Sequence, residues 1–446
     1  MYALRLDDAP PPATLARRLG GSGRFWLDSE AGHPEGRWGF LGGAPVETRA
    51  VPFGAADPLG ALRALGPPPG DEMEGDPLDL DADGVPWWVG YVAYDAAWSD
   101  PRRLGLRTPP RLPRPRRPVL WLGRHERLVA VDRARDETFV LGADRDGCRA
   151  LAETLRAPPA GDETPPTIGP VIAEAPAVHR ARIEHALEAI AAGEIYQVNL
   201  ARRWSAGFDG SPMALWRAMR RASPVPLGAY LEHGSHAVLA RTMERFLRWD
   251  RPSRRLWTSP IKGTIARSGR DDLGEAARLS TDDKERAEHS MIVDLMRNDL
   301  SRVAEVGTVR VADPLRVEPF AGLSHLVSTV ACRTRPGVDA ADVLEATFPP
   351  GSITGTPKLR AMELIEREEA HARGVYTGAV GFVDRAGGLS LAVAIRTAVV
   401  SDGELAYFAG GGLVSASDPE REIAETDLKA RVLFDALSRE LHENHD

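Results

Sequence analysis

Between residues 179 and 204 the periodicity of the chain changes abruptly. The stretch "HRARIEHALEAIAAGEIYQVNLARRW" opens with Ile183, Leu187 and Ile190 at helical spacing, then alternates like a strand from "IYQVNLARRW" onward. Similar strand patterns follow in "HAVLAR", "RFLRWD" and "RLWTSPIKGTIA", and later in "GAVGFVD", "LSLAVAIRTAVV" and "LAYFAGGGLV". Helical patterns interleave with them: "DDKERAEHSMIVDLMRNDLSRV", "TPKLRAMELIEREEAH" and "PEREIAETDLKARVLFDALSREL". Neighbouring hairpin-like strands mixed with helices point to an α+β fold with large antiparallel sheets.

Strand-like runs with Gly/Pro punctuation also precede this region, among them "GRFWLDSE", "RWGFLGG", "PWWVGYVAYDAAW" and "RLVAVDR". The Pro-rich stretch at 156–180 reads as a linker, dividing the chain into residues 1–165 and 178–440. A chain of 446 residues suits two domains or one large composite unit. Charge is spread along the chain, 56 Lys and Arg against 64 Asp and Glu, a balance of −8 that argues against nucleic-acid binding. The basic run "PRRLGLRTPPRLPRPRRP" (101–118) reads as a solvated loop.

Cys148 and Cys332 give no disulfide framework. "MYALRLDDAPPPAT" lacks a signal peptide's apolar core, and no apolar run is long enough for a bilayer. A cytoplasmic protein with no membrane partner is expected.

Several polar residues stand where packing alone would not put them. Lys262 interrupts the strand-like "LWTSPIKGTIAR". Glu285 and Glu288 share one helix face, with Met291, Ile292 and Leu295 near it, so that face turns inward. Glu422, Glu425 and Lys429 repeat the arrangement. Inward carboxylates call for a cation, and Mg²⁺ suits them; the alternative is solvated Glu–Lys and Glu–Arg pairs. Arg396 lies in an apolar strand, where either a substrate carboxylate or a structural ion pair would satisfy it. His325 and Tyr376 are open to core or catalytic readings. "PPGSITGTPK" and "FAGGGLVSASDPE" read as Gly-rich turns ahead of helices, positions that favour anions.

Taken in order, "GEIYQVNLARR", "PIKGT", "KERAEHSMIVDLMRNDL", "GSITGTPK", "RGVYTGAVGF", "AIRT" and "GGGLVSASDPEREIAETDLKA" resemble the chorismate-utilising enzymes. That family includes anthranilate synthase component I, aminodeoxychorismate synthase component I, and the isochorismate and salicylate synthases. The resemblance covers roughly 178–440, and residues 1–165 look like the N-terminal region of the two amino-transferring members.

The resemblance implies a composite two-sheet α/β sandwich with the active site between the sheets, and Mg²⁺ dependence. Glu288 and Glu425 would be the principal metal ligands, with Glu285 and Glu422 in or near the same shell. Tyr376, Arg396 and the Gly412 backbone would hold the enolpyruvyl carboxylate, with Thr264 and Gln197 also at the substrate. His325 would lie beside the ring and Lys429 would balance the acidic cluster. Gln197 stands where isochorismate and salicylate synthases carry a water-activating lysine.

Within the family "PIKGT" resembles aminodeoxychorismate synthases, where the lysine is understood to attack ring carbon 2 as the C4 hydroxyl departs, before ammonia adds at C4. The implied activity is C4 amination of chorismate, in the route to 4-aminobenzoate and folate. Glu244 would protonate the leaving hydroxyl, although the family's usual Ser-Pro-Glu is here Thr242-Met243-Glu244. The chain carries no glutaminase-type nucleophile turn, so ammonia is expected from a separate glutamine amidotransferase subunit. With no length for a fused lyase, the product is expected to keep its enolpyruvyl group. The rival readings are anthranilate synthase component I and a non-catalytic chorismate or amino-acid sensor.

Overall fold

The computed structural model describes the chain apart from residues 30–32, 67–73, 77, 79–83, 115, 159–163, 267–280, 321–322 and 444–446. Among the described residues the strands form two sheets, one of 14 strands and one of 10. Each sheet draws strands from both sides of the Pro-rich linker. In the larger, Leu227–His233 pairs with Phe25–Asp28, and Gln197–Asp209 runs antiparallel to Glu404–Leu413. In the smaller, Ala379–Asp384 pairs with Pro86–Val92. Residues 1–165 and 178–440 therefore share both sheets, and the fold is the expected α+β two-sheet type.

The inner sheet faces pack against each other. Phe40 of the larger sheet meets Phe382 of the smaller edge to face, with ring centroids 6.0 Å apart. Their apolar cluster takes Trp88, Tyr91 and Trp98 from the N-terminal part and Phe246, Trp249 and Val380 from the C-terminal part. A second cluster covers the outer face of the larger sheet, where helices Arg145–Arg156, Pro212–Ala222 and Pro419–Glu443 lay down Cys148, Trp216 and Leu433. Helix starts follow local chemistry: Ser211 caps the second of these, its hydroxyl accepting from Ala214 N–H, with Pro212 in the first turn. No described helix is long and apolar enough to cross a membrane.

Three expectations are revised. The linker is stitched to the sheet, because Thr167–Ile168 and Ile172–Ala173 both pair with Gln197–Asp209. The basic run is not solvated throughout: the Arg114 side chain is only 5% exposed, bonding Glu366 at 2.7 Å and lying 3.3 Å from Asp95. "FAGGG" is strand rather than turn, with Gly410 and Gly412 inside Glu404–Leu413.

The chain changes sheet at two adjacent places. His236–Thr242 in the larger sheet leads to Arg245–Asp250 in the smaller, and Leu389–Val393 in the smaller leads to Thr397–Ser401 in the larger. The two crossovers are bonded together: Arg241 N–H donates to Arg396 O at 3.1 Å, and Val393 N–H to Glu244 O at 3.0 Å. Both open onto one cavity.

Candidate active site

A cavity of about 620 Å³ lies at these crossovers, lined by Glu244, Lys262, Glu285, Glu288, His325, Tyr376, Arg396, Gly412, Glu422, Glu425 and Lys429. Residues far apart in sequence thus meet on one surface. Gln197 is buried beside it: a Cβ placed on Gly412 would lie 2.8 Å from Gln197 Nε2 and 3.1 Å from Lys262 Nζ. The side chain of Thr264 lies outside the described residues; its backbone pairs with His325.

Glu244 sits on the first crossover, buried. Burial pushes its carboxyl up to about 7, partly offset by hydrogen bonds from the Ser352 hydroxyl and the Ile261 N–H and by the Lys262 charge. A carboxyl so placed can carry a proton near neutrality and donate it. Its turn lacks a proline, and the Thr242 hydroxyl holds it instead, accepting from Glu244 N–H at 3.2 Å. Met243 packs with Val225, Ile261 and Ile395, giving the cavity a dry wall beside the acid.

Lys262 points inward because of a bulge. The register of Ile261–Ala266 against Leu323–Arg333 shifts between Lys262 and Thr264, and Gly263 adopts φ +70°. Lys262 is half-buried because it lines the cavity. Burial, then the Lys429 charge, lowers its pKa; Glu244, Glu288 and Glu425 oppose that shift. The same bulge fixes His325, whose Nδ1–H donates to Gly263 O at 3.1 Å. Burial and the Arg396 charge bring the imidazole down to about 4, so it is neutral and presents Nε2 as an acceptor.

Arg396 and Tyr376 supply donors. Arg396 occupies the second crossover with φ +48°, a strained left-handed conformation for a non-glycine residue. Its guanidinium has no hydrogen-bond or ion-pair partner among the described residues. Tyr376 stacks on Phe408 with centroids 5.2 Å apart, and burial raises its pKa, so the hydroxyl keeps its proton. A guanidinium and a phenol facing a cavity fit a carboxylate.

The two carboxylate pairs come from helices Asp283–Ser301 and Pro419–Glu443 and flank the same cavity. Among the described residues no three Asp, Glu, His or Cys side chains gather closely enough to hold a metal as they stand. Glu425 is bonded by the Lys429 ammonium at 2.6 Å, which also donates to Gly410 O at 2.9 Å. The donor set itself, carboxylate oxygens from both walls, suits a hard divalent cation such as Mg²⁺.

A family model described as chorismate binding enzyme matches residues 44–435. The chain belongs to that family. Aminodeoxychorismate synthase of Streptomyces griseus is 38% identical over 78% of this chain and 50% of its own length, so the chain spans about half of that relative. Anthranilate synthase component 1 of Streptomyces coelicolor is 36% identical over 97% of this chain and 88% of its own. The crystal structure of anthranilate synthase component I from Streptococcus pneumoniae TIGR4 superposes with a TM-score of 0.76 at 26% identity, covering 96% of this chain and 98% of that one.

For a chorismate-binding enzyme the cavity also contains residues that the sequence reading passed over. Ser352, noted only as part of a Gly-rich turn, bonds Glu244. In that turn Gly355 and Thr356 pair with Val198 and Gln197, while Ser352 and Ile353 line the cavity. Asn199 lines the cavity with its amide oxygen buried and unpartnered among the described residues. Its signal was available: it shares strand parity with Gln197, where an apolar residue would ordinarily face a core.

Proposed function

We propose that this chain aminates chorismate at ring carbon 4, giving 4-amino-4-deoxychorismate with the enolpyruvyl group retained. The observation that carries this reading is the Lys262 amine, held inside the cavity over Gly412 and within electrostatic reach of Glu244. Burial favours the neutral amine, the form that can act as a nucleophile. Glu244 delivers a proton to the departing C4 hydroxyl while the Lys262 nitrogen bonds to ring carbon 2. Ammonia then adds at C4, and the electron pair of the carbon–nitrogen bond returns to Lys262. Arg396 and Tyr376 orient the substrate through its side-chain carboxylate. Neutral His325, pinned by Gly263 O, lies beside the ring without adding charge.

Mg²⁺ would be held by Glu288 and Glu425, assisted by Glu285 and Glu422, and would supply positive charge for the ring carboxylate. In that state Lys429 would exchange its bond to Glu425 for the Gly410 carbonyl it already contacts. We assign ammonia supply to a separate glutamine amidotransferase subunit and place the reaction in the cytoplasm, on the route to 4-aminobenzoate and folate. The extensive match to the Streptomyces coelicolor protein favours anthranilate synthase component I as the second reading.

Mass spectrometry of the products from chorismate, Mg²⁺ and ammonium decides between them. A non-aromatic amino product without pyruvate is expected from the wild type, and a loss of about 100-fold or more in rate from Lys262→Ala. Anthranilate with pyruvate from the wild type would establish the second reading. An unchanged rate and product in the variant would remove the nucleophile role.

A further inference from the structure

Three polar side chains lining the cavity have no hydrogen-bond or ion-pair partner among the described residues: the Arg396 guanidinium, the Tyr376 hydroxyl and the Asn199 amide. Interior polar groups are normally paired, and a side chain left without a partner is a standing cost that a ligand can relieve. Arg offers only donors and Tyr a donor. At Asn199 it is Oδ1 that is buried and unpartnered, and a 180° turn of the amide, which breaks no hydrogen bond among the described residues, puts its two-donor nitrogen in that place. A set dominated by donors and converging on one space calls for an acceptor-rich anionic group.

The backbone shows how Asn199 joins the other two. It stands opposite Gly412 in the pairing of Gln197–Asp209 with Glu404–Leu413, on the face that carries Gln197. The neighbouring strand offers Gly410 and Gly412 on that face, so no side chain covers the floor. A Cβ on Gly410 would lie 2.7 Å from Asn199 Oδ1 and 3.0 Å from the Tyr376 hydroxyl. The amide and the phenol thus border the same bare patch of backbone. Asn199 itself is only 7% exposed, and its strand is anchored by Arg373 donating to Asn199 O at 2.6 Å. Its backbone is fixed, leaving only the amide end to adapt.

We propose that Asn199 is a substrate-binding residue, its Nδ2 donating to the side-chain carboxylate of the substrate beside the Tyr376 hydroxyl and the Arg396 guanidinium. This rests on the reading of the cavity as a chorismate site and deepens it. Two residues could grip a carboxylate yet leave it free to turn about the axis between them. A third donor from the sheet floor removes that freedom and sets how the enolpyruvyl arm enters the site.

The test combines Asn199→Ala and Asn199→Asp with steady-state kinetics, varying chorismate at saturating ammonium and the reverse. Calorimetric binding of chorismate without ammonia serves as a readout free of turnover. Losing a hydrogen bond to a charged group predicts a rise of about 10- to 100-fold in chorismate Kd and KM for Asn199→Ala, with ammonium KM within twofold. Asn199→Asp keeps the side chain's size but sets a carboxylate against a carboxylate, so its chorismate affinity should fall further than that of the alanine variant. It also keeps the assay decisive should the smaller side chain prevent folding.

Chorismate affinity within twofold of wild type in the folded variants would overturn the proposal. So would a rise confined to ammonium KM, which would assign the amide to the nucleophile instead. Should the wild type bind no chorismate, the functional reading fails as a whole; normal wild-type binding with unaffected variants removes only Asn199.

Discussion

At Glu244 the proton-donor role we propose and stability pull in opposite directions. The carboxyl's ordinary value of 4.5 rises to about 7 because burial penalises its charged form. Between those values the folded chain holds a proton that the unfolded chain releases, so its contribution to stability falls as pH rises through that window. Glu244→Gln should therefore melt at a higher temperature than wild type at pH 8, by up to about 3 kcal/mol in stability, and show little gain at pH 4. Its turnover should drop by about 100-fold or more, since the amide donates no proton. In the wild type, kcat/KM at constant free ammonia should fall on the alkaline side with a midpoint near 7, while the need for neutral Lys262 sets the acid side. A flat profile between pH 6 and 8 would remove Glu244 as the proton donor. Glu244 and Lys262 were legible because unusual residues stood in a recognisable order. Ser352 was not, because its meaning depends on which turns meet which strands, and Asn199 left only the strand parity it shares with Gln197.

The strand Ile261–Ala266 shows how one backbone irregularity aims a side chain. Without the bulge at Gly263, strict alternation would continue and residues on either side would exchange faces. The sequence presents Gly263 as the end of a regular strand; the structure makes it the pivot that turns Lys262 into the cavity and lends its carbonyl to His325. Gly263→Ala must either hold a left-handed backbone, at about 1–2 kcal/mol, or straighten the strand and withdraw the amine. Urea denaturation should show that loss of stability, and turnover should fall by roughly tenfold or more. Full turnover would mean that something other than the bulge directs Lys262. The run Gly410–Gly412 was similarly misread: glycine here removes side chains from a strand instead of making a turn, leaving a floor on which Lys262, Gln197, Asn199 and Tyr376 can converge.

Composition alone marks residues 156–180 as a boundary, because proline and small residues interrupt the periodic segments on each side. It cannot show that Leu227–His233 finds its partner in Phe25–Asp28, or Ala379–Asp384 in Pro86–Val92, since these pairings bridge the linker from far apart in the chain. The active cavity opens where the chain passes between sheets that both depend on the N-terminal strands. Residues 178–446 expressed alone would leave two buried strands with open edges and half an apolar core, the conditions for aggregation. They should be insoluble or lack fixed tertiary structure, as judged by near-ultraviolet circular dichroism. In the full chain, buried tryptophans report from both sides of the linker, Trp26, Trp88 and Trp98 before it and Trp204, Trp216 and Trp249 after it. Urea should accordingly produce one fluorescence transition coincident with the loss of turnover, because neither part has a complete sheet of its own. Two separated transitions, with activity following only the second, would show that the shared sheets do not bind the parts into one cooperative unit.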